Sequence, residues 1–167
     1  MDTDELQQRY LAGERNFHQV NLKGANIHKA QLIEVNLTRA NLQKANLSQA
    51  NLTRANLYKA NLAKANLHRT VLNESILNGA DLQKANLHRA SLIKANLFEA
   101  NLKGAILNHT NLGASNLTGA DLNHANLTWA NLRRANLSNA HLDGADLSGA
   151  KFCNTTMPDG SIRNDDC

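Results

Sequence analysis

From Phe17 to Phe152 an apolar residue occupies every fifth position without an insertion or deletion, making 28 consecutive units. Between positions 22 and 147 that residue is leucine in every unit but one, Ile27. The residue two places before it, from Val20 to Ala150, is alanine in 21 of 27 units; the residue one place before it, from Asn21 to Asp146, is asparagine or aspartate in 20 of 26. The unit reads A-N-L-x-x, and a repeat this regular decides the architecture before local propensity is weighed.

A period of five suits neither ordinary element. On a helix of about 100° per residue, successive leucines step by roughly 500° and wrap around the axis; on a strand of about 180° per residue they change face at every unit. The chain must therefore turn once per unit. Within a unit Ala, Asn and Leu alternate, so alanine and leucine point inward, asparagine points outward, and the two variable residues form a corner. Stacked turns of this kind bury a column of leucines against alanines small enough to bring the walls together, while backbone groups pair with the turn above and below.

Units such as Ala40-Asn41-Leu42-Gln43-Lys44 and Ala45-Asn46-Leu47-Ser48-Gln49 resemble the pentapeptide-repeat family. The stretch YLAGERNF from Tyr10 to Phe17 and the MPDGS of residues 157–161 resemble its cyanobacterial members in particular. The resemblance implies an all-β fold, a right-handed quadrilateral β-helix with four units per coil and about seven coils, roughly 34 Å long at about 4.8 Å per stacked strand. Spacing alone does not supply the number four. One internal hint agrees with it: Thr70 and Ser75 replace alanine together, and Thr110 and Ser115 repeat this forty residues later.

Three segments follow: a helical cap at 1–16, the repeat body at 17–156 and a tail at 157–167. Thr3 is the expected helix N-cap, with Asp4 and Glu5 in the first turn, Leu6 and Tyr10 on one face and Gly13 as the stop. Phe152 ends the apolar column, and Pro158 removes a ladder donor. With both ends capped, edge-to-edge growth is blocked and a monomer is expected.

The chain is 42% apolar, 19% charged and 4% aromatic, with one proline, a composition that excludes disorder and collagen. No apolar run approaches the roughly 18 to 20 residues of a membrane span, and the N-terminus is acidic where a signal peptide is basic. No membrane partner and a cytoplasmic location are the expectation; a mature exported or lumenal chain is the alternative. There is no G-x-S-x-G, P-loop, H-E-x-x-H or dinucleotide glycine pattern, and a rod filled with alanine and leucine has no polar cleft. No catalytic residue, no cofactor and no enzyme activity are expected.

On a four-sided rod His28, His68 and His88 share one outward column, with His18, His109, His124 and His141 elsewhere. No cysteine or carboxylate column joins them, so they read as solvated corner residues rather than metal ligands. Cys153 and Cys167 are too few for a zinc site. A tail of fourteen residues reaches far enough to bridge them in a disulfide; two reduced thiols are the cytosolic alternative.

Charge is distributed unevenly. Residues 17–157 hold 15 lysines and arginines against 7 acids, whereas the two ends hold 3 against 7. A candidate basic face comprises Arg39, Lys44, Arg54, Lys59, Lys64 and Arg69, continued by Lys84 and Arg89. It serves solubility or an anionic partner, nucleic acid or an acidic protein surface, including a topoisomerase-type target. Quinolone-resistance members of the family resemble DNA through an acidic surface; this body is basic, which disfavours mimicry. Direct DNA binding lacks support from interleaved aromatic residues. Val71, Ile76, Ile93 and Phe98 fall on two adjoining faces and form a candidate protein-contact patch. The functional expectation is a non-enzymatic scaffold presenting flat faces to a protein partner, with an anion-binding module or a structural spacer as alternatives.

Overall fold

A computed structural model describes residues 1–167. Parallel bridges join residue i to residue i+20 in an unbroken series from Asn16–Asn36 to Asn136–Thr156. Every unit therefore stacks on the unit four repeats later, and the units fall into four columns. We name these the Phe17, Leu22, Ile27 and Leu32 faces after their first apolar residues. Each unit donates in both directions: Leu62 N–H to Asp81 O at 2.7 Å, and Asn61 N–H back to Ala40 O at 2.9 Å. A single residue per unit forms a bridge, because the corner follows at once. Regular strand is consequently limited to the short antiparallel pair β1 (Thr155–Thr156) and β2 (Ile162–Arg163) in the tail.

The corner explains two features of the repeat. In all 28 units the second residue after the apolar one is left-handed, with φ between 50° and 68°, and in 22 of them it is not glycine. That conformation costs an ordinary L-residue roughly 1 kcal/mol or more. The asparagine helps to hold it: its Oδ1 accepts from the N–H of the residue just after the leucine, as Asn56 does from Tyr58 at 3.0 Å and Asn66 from His68 at 3.1 Å. A short side-chain oxygen two residues upstream closes this turn, which is why Asn and Asp dominate the position. Asparagines also bond along the rod, Asn36 Nδ2 donating to Asn16 Oδ1 at 3.0 Å.

Inside, the leucines and alanines form one buried cluster of 46 residues. The polar exceptions at the alanine position are satisfied locally. Thr70 Oγ1 donates to Leu47 O and Ser75 Oγ to Leu72 O, both at 2.7 Å, and Thr110, Ser115 and Thr155 repeat the device. A hydroxyl so bonded costs little to bury.

Helix α1 (Thr3–Leu11) closes the first end. Its N-cap is Asp2, not Thr3: the Asp2 carboxylate accepts from Glu5 N–H at 2.8 Å, and Thr3 is the first helical residue. Leu6 is fully buried on the core, Tyr10 donates its hydroxyl to Ile33 O at 3.1 Å, and the Arg9 guanidinium lies 5.3 Å from the Phe17 ring. Gly13, at φ 97°, ends the helix.

At the other end the ladder continues past the last full unit. Leu137 N–H reaches Thr156 O and Asn139 N–H reaches Pro158 O, so Pro158 still serves as an acceptor. The tail then folds back, Asp166 Oδ2 accepting from Phe152 N–H at 2.8 Å and Asn164 Oδ1 from Asn154 N–H at 2.7 Å. These contacts close the Leu32 and Phe17 faces. Over the Leu22 and Ile27 faces the end is open, with Leu142, Ala145 and Leu147 only partly buried. The C-terminal cap is thus half of what the sequence led us to expect.

Candidate functional site

Every outward residue is delivered by the same turn, so surface chemistry is a matter of column and height. Val71 and Ile93 lie on the Leu32 face, Ile76 and Phe98 on the adjoining Phe17 face, in successive layers. Ile76 and Phe98 are 43% and 38% exposed; Val71 and Ile93 are partly buried. Val71, Ile76 and Ile106 each replace the turn-closing asparagine, and in each of these units an asparagine stands just after the leucine instead: Asn73, Asn78 and Asn108. Asn73 Oδ1 accepts from Ser91 Oγ and Ile93 N–H, and Asn108 Oδ1 meets His88 Nδ1 at 2.9 Å. Asn78 Oδ1 is buried and has no partner, because Phe98 N–H above it is already taken by Asn96. An unpaired acceptor therefore sits between Tyr58 and Phe98, beside Ile76.

The basic residues occupy the left-handed corner positions. Lys44, Lys64 and Lys84 form the corner leading from the Leu22 face to the Ile27 face, and Arg69 and Arg89 the next corner; all five are exposed. Arg39 and Lys59 lie at the corner of the Phe17 face. Arg54 lies at the corner of the Leu32 face, where it pairs with Glu34 at 3.2 Å, the one ion pair of the repeat body. That corner alternates in sign, Glu34, Arg54, Glu74 and Lys94, while no acid occupies the left-handed positions of the lysine and arginine corners.

The histidines do not converge on a common point. His68 and His88 stack in parallel, ring centres 5.3 Å apart at 11°. His88 meets His109 edge-on at 5.8 Å, and His109 stacks on Trp129 at 6.4 Å. His28 stays outside this ladder, its Nδ1 bonded to Ser48 Oγ. The ladder alters the sequence reading, since rings do interleave with the cations; counting Phe, Tyr and Trp alone conceals it. The signal was the recurrence of His68 and His88 twenty residues apart. Burial, followed by Arg69, His88 and Arg89, holds His68 below the ordinary imidazole range.

The bridge between Cys153 and Cys167 joins the last corner to the end of the tail, with Cα atoms 4.9 Å apart. One hollow of about 260 Å³ opens between α1 and the first units, beside Tyr10, Leu11 and Lys29. It holds no arrangement of acid, base and nucleophile.

The pentapeptide repeats family matches in eight copies, over residues 16–39, 36–73, 65–104, 95–134 and 120–159. The chain belongs to the pentapeptide-repeat family. Among solved structures it is similar to alr5209, a pentapeptide repeat protein of Nostoc PCC 7120, at 34% identity over 60% of this chain and 80% of that one, with a TM-score of 0.57. A pentapeptide repeat protein of the Arabidopsis thaliana thylakoid lumen is 28% identical over 57% and 66% of the two chains, with a TM-score of 0.52. HetL, involved in heterocyst differentiation regulation in Nostoc sp. strain PCC 7120, is 31% identical over 98% and 100%, with a TM-score of 0.31. No curated protein matches the chain. Membership in this family accounts for the turn-and-ladder architecture; the cation corners and the ring ladder are features of this chain's own variable positions, and the patch combines such positions (Ile93, Phe98) with departures from the repeat's asparagine (Val71, Ile76).

Proposed function

We propose that the chain is a non-enzymatic scaffold, a right-handed four-sided β-helix of about seven coils, that holds a protein partner against the corner between its Leu32 and Phe17 faces. One observation carries the reading. Val71 and Ile93 on the Leu32 face and Ile76 and Phe98 on the Phe17 face lie in successive layers, and the unpartnered Asn78 Oδ1 is in the column directly below Phe98. Adjoining apolar side chains form the kind of centre where binding energy concentrates, and a partner that shifts the side chains covering Asn78 Oδ1 also supplies the donor it lacks. Isolated exposed apolar residues are ordinary on any surface; the orphan acceptor is what distinguishes this cluster from Trp129 or Ile106.

Affinity capture from a cyanobacterial lysate tests it. The parent chain should retain a partner that Phe98→Ala and Ile93→Asp lose, each by tenfold or more. Trp129→Ala, outside the patch, should retain it. Equal capture by all four proteins would refute the assignment.

A further inference from the structure

We infer that the Ile27 face, between the lysine corner and the arginine corner, is a binding track for a single strand of nucleic acid. The track adjoins the Leu32 face that carries Val71 and Ile93, but it is built from different residues and does not depend on them. Lys44, Lys64 and Lys84 form one rim, and Arg69 and Arg89 the other. Between the rims the outward residues are neutral: Asn66 and Asn86, with the stacked rings of His68 and His88 beside them. Cations repeat along each rim at about 4.8 Å, and the rims stand roughly 10 Å apart, the span of three extended residues.

Two observations separate this surface from one that merely confers solubility. A solubilising surface intersperses both signs, as the Leu32 corner does with Glu34, Arg54, Glu74 and Lys94. The two rims are cationic throughout these layers, and none of their five charges is ion-paired. Positive charge is thereby concentrated at the edges of one neutral, hydrogen-bonding floor.

The order rim, floor, rim matches one strand rather than two. Phosphates lie along the lysines, bases cross the asparagine and histidine floor, and the arginine planes stack on the bases. A duplex is read by an element that enters a groove, and this face projects none. A simple polyanion such as heparin has no use for the floor. The groups around His68 are His88, Arg69 and Arg89, with no carboxylate among them. A bound phosphate would offset their repulsion of an added proton, so binding should tighten as the pH falls.

Fluorescence anisotropy with a labelled oligothymidylate tests the track. The full chain should bind it at low salt, and affinity should fall with a log–log salt slope of about 0.7 per phosphate contacted. Neutralising Lys44, Lys64 and Lys84 to Gln should lower that slope by about 2. R69Q/R89Q should weaken binding at least tenfold and stands in for the triple variant if the latter does not fold, judged by circular dichroism. R54Q/K94Q, removing the same charge from the Leu32 corner, should change affinity less than twofold, as should Phe98→Ala. Lowering the pH from about 7.5 to about 5.5 should tighten binding in the parent more than in His68→Gln. Equal loss in R54Q/K94Q, equal affinity for a duplex of the same length or for heparin, an unchanged pH response in His68→Gln, or no binding at low salt would each overturn the proposal.

Discussion

Leu87 is fully buried midway along the Ile27 face, in register with Leu67 below and Leu107 above, and Ala85 beside it is equally buried. The two residues are inward for opposite reasons: the leucine fills the rod, and the alanine lets the wall approach it. Leu87→Ala should therefore cost about 2–5 kcal/mol in lost transfer energy and cavity, and Ala85→Leu should destabilise by overpacking, about 1–3 kcal/mol. Denaturant midpoints of both variants equal to the parent's would place these side chains outside the core. The inward assignments were legible because alternation within the unit is a packing signal. The asparagine was legible only as an outward polar residue; its part in closing the turn depends on the corner's dihedral angles, which composition does not reveal. Helix α1 shows the same limit on a smaller scale. Asp2, Thr3 and Asp4 are all competent caps, and which one serves depends on where Leu6 must sit to reach the core.

At the scale of the repeating element, the four columns turn sequence distance into neighbourhood. His68 and His88 meet because they are one layer apart, but His88 and His109 meet across the two residues of a corner, a pairing that no constant interval predicts. The ladder has a measurable consequence. Burial and the nearby positive charges keep folded His68 neutral at a pH where the unfolded chain, near 6.5, takes up a proton. The unfolded state then binds more protons, so stability is full above about pH 6.5 and declines as pH falls through the lower folded value. The denaturation midpoint should drop between about pH 7 and about pH 5, and drop less in His68→Gln. Glu14, Asp146 and Asp159 are also held below their ordinary values by hydrogen bonds to Arg9, Ser148 and Ser161. Their contribution is lost only at more acidic pH, beneath the carboxylate values of 4.5 and 3.8, so it does not enter this window. A midpoint that falls equally in parent and variant would remove His68 as the cause.

The whole molecule is quasi-one-dimensional: each layer touches only its neighbours, so its two ends govern how it frays. The first end is covered by a helix whose Leu6 plugs the column. The second is held by a tail with few apolar contacts, anchored through Asp166, Asn164 and the Cys153–Cys167 bridge, and it leaves Leu142 and Leu147 partly uncovered. That asymmetry was invisible in the sequence, where Phe152 and Pro158 signal an end without showing how many faces the tail closes. Closing a loop of this size stabilises by roughly 3 kcal/mol in the chain-entropy model. Because layers couple mainly to their neighbours, the loss on reduction should appear as local opening of the tail before it appears in global unfolding. Reductant should raise amide exchange at Phe152 and Asn154, whose N–H groups the tail satisfies, while leaving the middle layers around Leu87 protected. Cys167→Ser should show the raised exchange without reductant and no further response to it. Intact mass after alkylation under denaturing conditions supplies the chemical check: two alkylated cysteines in unreduced native-source protein would mean that the tail is held by its hydrogen bonds alone.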